Sequence, residues 1–162
     1  ADALAGTDAV VRDTRKTTPL LRSLEKYAVR CGGGENHRMS LSDAALIKDN
    51  HVLAAGGIAA AYQAVTKAFP DLPVEIEVDS VDGAAEAAAA GAQLIMLDNF
   101  TSAEVAKAVQ VVAGRAKLEV SGGLTIYAAR EYGETGVDYL AVGAITHSAP
   151  ALDIAFDLRE MR

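Results

Sequence analysis

Residues 74–123 read VEIEVDSVDGAAEAAAAGAQLIMLDNFTSAEVAKAVQVVAGRAKLEVSGG, and this stretch sets the fold. Short apolar runs at 74–78, 94–97 and 118–120 alternate with helical-length stretches at 81–90 and 102–112. Ser80 and Thr101 stand where N-caps belong, because a hydroxyl there accepts from the free N–H groups of a first helical turn. Gly91 and Gly114 stand where those helices must close in left-handed turns. The alanine run 84–90 has high helix propensity, and a continuously apolar strand such as LIML suits a parallel sheet covered on both faces.

Outward from there the same period continues. Further strand-like runs fall at 9–12, 28–31, 45–48 and 139–142, and further helices at 19–26, 57–69 and 125–134. The chain therefore reads as an α/β protein, a seven-stranded parallel β/α barrel of the TIM-like kind, in one domain over residues 1–162.

A barrel is preferred to a doubly wound sheet because of the residues that come directly after each strand, since β/α barrels build their sites at strand carboxyl ends. The first run ends in Asp13-Thr14-Arg15-Lys16, the second leads through three glycines to His37-Arg38, and the third ends in Lys48-Asp49-Asn50. Carboxylates come next: Glu77 and Asp79, then Asp98 with Asn99. Glycines complete the series at Ser121-Gly122-Gly123 and Gly143-Ala144, resembling loops that present backbone N–H groups to a phosphate.

Charge is distributed unevenly. The first fifty residues carry eight Lys or Arg against seven Asp or Glu, whereas the remainder carry seven against fifteen. A net charge of −7 and a pI near 4.9 exclude a broad nucleic-acid or membrane-binding face, leaving a local cationic rim suited to a small polyanion. One cysteine, Cys31, permits no internal disulfide, and no apolar run approaches a membrane span, so a soluble cytoplasmic protein is expected. With no initiating Met, the chain is expected to be a piece of a longer protein.

The segments DTRKTTP, KYAVRCGGGENHR, LIKDNH, EIEVDS, LIMLDNF, SGG and DYLAVGAITHS together resemble quinolinate phosphoribosyltransferase, over nearly the whole chain. The resemblance implies an open seven-stranded barrel with the family's N-terminal domain absent, toward which the last ~15 residues would pack. It implies a homodimer in which the partner contributes an arginine to the pocket. The implied reaction transfers phosphoribosyl from phosphoribosyl pyrophosphate to quinolinate with loss of CO2, giving nicotinate mononucleotide for NAD biosynthesis.

By the same resemblance, Arg15, Arg38 and Lys48 hold the quinolinate carboxylates, with Thr14, Lys16 and His37 lining that pocket. Guanidinium forks suit planar carboxylates, and lysine adds a compact charge. Glu77 and Asp98 are implied at the ribose and at Mg2+, carried in with the pyrophosphate. Ser121, Gly122, Gly123, Val142, Gly143 and Ala144 are implied at the sugar phosphate. Lys16, Lys48, Glu77 and Asp98 form the expected catalytic set, no general acid or base being assigned. Two alternatives stay open: the same barrel with another acceptor, as in paralogues associated with molybdenum transport, and a non-catalytic anion-binding or assembly piece.

Some residues depart from the family or carry a plainer reading. Leu20 stands where the family usually has glycine, and Glu35 where it often has a small apolar residue. His51 and Asn50 are expected to orient Lys48 or cap its loop, His147 to be structural, and Cys31 to be a small buried strand residue. An uncovered barrel face is expected to bring oligomerisation or poor solubility.

Overall fold

The computed structural model describes residues 1–158. After a 3-10 turn at Asp2–Leu4, the elements are β1 (Val10–Arg12), α1 (Arg22–Cys31), β2 (Ala45–Ile47), α2 (Asp49–Ala55), α3 (Ile58–Ala68), β3 (Val74–Val78) and α4 (Val81–Ala89). They continue with β4 (Leu94–Asp98), α5 (Ser102–Val112), β5 (Lys117–Ser121), α6 (Ala129–Gly133), β6 (Tyr139–Ala141) and α7 (Ala144–His147). The strands form one parallel sheet in the order β1-β6-β5-β4-β3-β2.

Why these residues form these elements is clearest in the central repeats. Ser80 Oγ accepts from Gly83 N–H at the start of α4. Thr101 and Glu104 make a reciprocal capping box on α5. Strand residues alternate between the two faces of the sheet, so Ile76, Ile95, Leu97, Val120 and Leu140 point to the helices and are fully buried. Against them sit Ala84, Ala87, Val105 and Ala108, small side chains that let the helices approach closely. Each large apolar side chain so buried contributes about 1.5–3 kcal/mol.

The sheet curls around its other face. Arg12 of β1 reaches Glu119 of β5 at 2.5 Å, and His37, which lies beyond α1, reaches Glu75 of β3 at 2.7 Å. Those bonds cross the barrel interior.

The strand expected at 28–31 is not a strand. Those residues finish α1, where Lys26 and Val29 are buried while Tyr27, Ala28 and Arg30 face solvent, which is a helical period. The seventh strand position is instead taken by Glu35 alone, in a parallel bridge to Arg12: Glu35 N–H donates to Val11 O at 2.9 Å and Asp13 N–H to Glu35 O at 3.2 Å. Among the described residues, six strands and one bridge therefore stand where seven strands were expected. Cys31, expected buried, is exposed at the end of α1. The first helix starts later than residue 19 because Leu20 turns left-handed at φ 67. α2 was not anticipated, and α6 occupies only the second half of 125–134.

Residues 149–158 form neither helix nor strand, and Leu152, Ile154, Phe156 and Leu158 are exposed; the rest of the expected C-terminal tail, 159–162, lies outside the described residues. No described helix is long and apolar enough to cross a membrane.

Candidate active site

The cationic side of the site is built on a buried anion. Asp13, directly after β1, is fully buried and its carboxylate accepts from Lys26 Nζ of α1, from Asn36 Nδ2 at 2.5 Å and from His37 N–H at 2.8 Å. Lys26 also donates to His37 O at 2.8 Å, and Asn36 Nδ2 to Lys26 O at 2.8 Å. One carboxylate thus joins the Thr14-Arg15-Lys16 loop to the His37-Arg38 loop. Arg22 makes a second tie, donating to Arg15 O at 3.1 Å and Met39 O at 3.2 Å. Thr146 Oγ1 donates to Lys16 O at 2.7 Å, so the last helix holds the first loop from the other side.

These loops and the strand carboxyl ends enclose a pocket of about 320 Å3. Thr14, Arg15, Lys16, His37, Arg38 and Lys48 line its cationic part, and Glu77, Asp98 and Ser121 the part beyond. Leu46, Met96 and Ala141 complete the wall. The sequence did not single out these three, although Leu46 and Met96 stand two residues before Lys48 and Asp98 and so share their face.

Two guanidinium groups crowd here. Burial first, and then the Arg15 charge, lower the Arg38 pKa from its usual value, against the pull of Glu75 and Asp43. Arg38 Nη1 donates to Ala44 O at 2.6 Å, while Arg15 Nε is buried without a partner. Crowded cations with an unpaired buried donor are stabilised by an incoming anion.

On the acidic side, Lys48 Nζ pairs with Glu77 Oε2 at 2.5 Å, and Asp98 Oδ2 accepts from Asn99 Nδ2 at 2.8 Å. Both the pairing of Glu77 and a shared pocket wall are therefore present. His51 Nδ1 accepts the Lys48 N–H at 2.9 Å, closing a capping box at the start of α2; Asn50 N–H bonds Asp49 instead. His147 Nδ1 bonds Ser148 Oγ at 2.7 Å.

The glycine loops are not in this lining. Gly122 and Gly123 turn at positive φ just past Ser121, and Gly143 and Ala144 lead into α7 beside Thr14. Val142 lies elsewhere, on an apolar cavity of about 400 Å3 that it shares with Val11, Val29 and Leu140.

Beneath the pocket is a cluster the sequence did not announce. His37 Nδ1 accepts the Arg38 N–H at 2.8 Å, which leaves the ring proton on Nε2, facing Glu75 Oε2 at 2.7 Å and Glu119 Oε1 at 3.4 Å. Burial first, then the Glu75 charge, push the Glu119 carboxyl up to about 7, against the opposing effects of His37 and Arg12.

A parallel β/α barrel whose strand ends set crowded cations against two carboxylates is a barrel suited to holding polyanionic substrates. The chain belongs to the quinolinate phosphoribosyltransferase family: the sequence profile described as "Quinolinate phosphoribosyl transferase, C-terminal domain" matches residues 1–157. It is 54% identical over 160 residues to nicotinate-nucleotide pyrophosphorylase [carboxylating] of Mycobacterium leprae, covering 97% of this chain and 56% of that protein. The Homo sapiens protein of the same name is 39% identical over 158 residues, covering 95% and 53%. The crystal structure of NadC from Streptococcus pyogenes superposes with a TM-score of 0.90 at 45% identity, covering 94% of this chain and 54% of that one. The chain thus spans about half the length of the relatives it matches.

Proposed function

We propose that this barrel catalyses, within the longer protein its relatives represent, phosphoribosyl transfer from phosphoribosyl pyrophosphate to quinolinate with decarboxylation. The observation that carries this is the pairing of crowded Arg15 and Arg38, one with an unpaired buried donor, against Glu77 and Asp98 in one pocket. The names of the relatives support it.

In the reaction the pyridine nitrogen attacks the anomeric carbon, and the bond to the pyrophosphate oxygen breaks with its electron pair leaving on pyrophosphate. Arg15 and Arg38, with Lys48, grip the two ring carboxylates and so aim the nitrogen, which converts an encounter into a positioned attack. Positive charge builds on the sugar carbon, and the fixed carboxylates of Glu77 and Asp98 stabilise it. The bond from ring C2 to its carboxylate then breaks, CO2 leaves, and the electron pair beside the cationic nitrogen takes a proton from solvent. Lys16 and Lys48 are placed to steady the electron pair left on that ring carbon until it is protonated.

Glu77 and Asp98 fit a magnesium ion carried by pyrophosphate, because two carboxylates on one pocket wall leave the other positions to phosphate and water oxygens, as magnesium prefers. When bound, the ion would offset charge on the leaving group. The glycine loops at Gly122-Gly123 and Gly143-Ala144 would take the sugar phosphate. The working enzyme would be a cytoplasmic homodimer, a state supported by the exposed Leu20, Leu24, Tyr27 and Leu41 beside the cationic loops.

The test is nicotinate mononucleotide formation by mass spectrometry, with quinolinate binding by calorimetry and Arg38→Ala as control. Product that vanishes in the variant supports the assignment and shows that the barrel suffices. Arg38-dependent binding without product assigns turnover to the longer protein, and neither binding nor product removes the quinolinate reading from this chain.

A further inference from the structure

Asn99 is the first residue past β4 and turns left-handed, at φ 59, with the chain held on both sides of it. Its N–H donates to Ser121 O at 2.8 Å, Tyr132 Oη of α6 donates to Phe100 O at 2.9 Å, and Thr101 caps α5. Glycine would serve such a turn best, because an L side chain crowds its own backbone in the left-handed region. Asparagine enters that region more readily than most residues, but the turn itself makes no use of its amide.

The amide is engaged elsewhere. Asn99 Nδ2 donates to Asp98 Oδ2 at 2.8 Å. Its carbonyl end lies over the next strand's turn, since a Cβ on Gly122 would fall 2.2 Å from Asn99 Oδ1 and 2.8 Å from its Cγ. A reversed amide would set Oδ1 against the carboxylate, acceptor facing acceptor, so the Asp98 charge fixes which way the group faces. Asp98 and Ser121 are register partners of β4 and β5. One side chain therefore spans from the carboxylate that ends β4 to the glycine turn that follows β5.

We propose that Asn99 is a positioning residue for the sugar-phosphate end of the pocket: it holds the Asp98 carboxylate in one orientation and ties it to the Ser121-Gly122-Gly123 turn. Asp98 lines the pocket and Asn99 does not, so Asn99 acts through its neighbours rather than on substrate. A carboxylate turns easily about its last torsion, and a bond to Oδ2 from a fixed amide stops that rotation and leaves Oδ1 for a ligand. The inference rests on the phosphoribosyl reading for its consequence, but the bond to Asp98 stands without it.

The test compares the 162-residue chain with Asn99→Gly, which keeps the left-handed turn and deletes the amide, and Asn99→Asp, which keeps the shape and replaces the donor by a second carboxylate. Calorimetry follows phosphoribosyl pyrophosphate with magnesium and, separately, quinolinate. NMR follows the two side-chain amide protons of Asn99 in the parent and in Asp98→Ala. Both Asn99 variants are expected to weaken phosphoribosyl pyrophosphate about 10-fold, the scale of one hydrogen bond to a charged group, while quinolinate affinity is unchanged. In the parent one amide proton is expected downfield of its partner, and to return toward it in Asp98→Ala. An equal loss of both ligands in Asn99→Gly would assign the residue to the turn alone and overturn the proposal. Phosphoribosyl pyrophosphate bound by Asn99→Asp as tightly as by the parent, or more so, overturns it too, as do Asn99 amide signals that ignore Asp98→Ala. If the parent binds no phosphoribosyl pyrophosphate, the sugar-phosphate reading of this chain fails, and the amide signals still decide whether Asn99 holds Asp98.

Discussion

Asp13 and Lys26, thirteen positions apart and both fully buried, form an ion pair that joins the two cationic loops of the pocket. Lys26 has a second acceptor in His37 O, and Asp13 has second and third donors in Asn36 and His37 N–H, so the charges are paired and their remaining polar atoms engaged. Removing one partner leaves the other charged and dry. Lys26→Ala is therefore expected to cost about 3–5 kcal/mol in denaturant unfolding. The double variant Lys26→Met with Asp13→Asn is expected to recover part of that loss, because neither buried charge remains. A double variant as unstable as the single one would show that packing, rather than charge pairing, is lost.

Leu20 occupies a left-handed turn at φ 67 with its side chain wholly in solvent, so it carries the strain of that conformation without burial to offset it. Glycine adopts this region freely but gives up more freedom on folding. Leu20→Gly is expected to stabilise the chain by about 0.5–1 kcal/mol net. Chemical denaturation reads this directly, and a destabilised variant would mean that the leucine is held by contacts outside this chain.

The β/α repeat of residues 74–123 was legible because its caps, glycines and apolar runs all agree. The first fifty residues were less so. In 28–31 the adjacent apolar residues suggested a strand, but only Val29 turns inward, three positions after Lys26 on the same helix face, and a lysine on a helix reads as a solvent residue until its buried carboxylate is seen. Nine pocket residues were found from strand ends and family motifs, because polar residues there have few other reasons to follow an apolar run. Met96 and Leu46 were missed as ordinary core, and Glu75 and Glu119 because a carboxylate inside a strand has no sequence mark of where its counter-charge lies.

Gly122 and Gly123 both turn at positive φ, but only Gly122 is pressed against a neighbour: a Cβ there would lie 2.2 Å from Asn99 Oδ1, whereas one on Gly123 meets open space. Gly123→Ala is expected to cost about 1–2 kcal/mol, the left-handed penalty alone. Gly122→Ala must also displace Asn99, itself at φ 59 and bonded to Asp98, and is expected to cost at least about 1 kcal/mol more. Equal thermal shifts for the two would show that Asn99 moves aside freely and leave Asp98 unaffected.

Arg38→Lys keeps the charge and loses the planar fork. If the guanidinium grips a carboxylate through two parallel bonds, calorimetric affinity for quinolinate falls about 10-fold or more, with stability little changed. If Arg38 acts only as a charge, the lysine variant binds as the parent does, and raising the salt concentration weakens both equally.

The Glu119 carboxyl also sets a stability window. Its pKa is raised to about 7 in the folded chain from an ordinary 4.5, so between these values the native state binds more protons than the unfolded chain. Stability must then fall as pH rises through that interval and level off above it, opposite in sign to a salt-bridged carboxylate. Asp43 and Glu104 have lowered values, and their effect runs the other way and only at more acid pH. Each unit of displacement corresponds to about 1.4 kcal/mol, so the unfolding free energy from urea titration is expected to decline by an amount on the order of a few kcal/mol between about pH 5 and about pH 7, with the midpoint falling alongside it. Glu119→Gln has no proton to lose, and its midpoints are expected to stay level across the same interval. A parent whose stability rises over that range, or a variant that declines with it, would place the buried proton elsewhere than on Glu119.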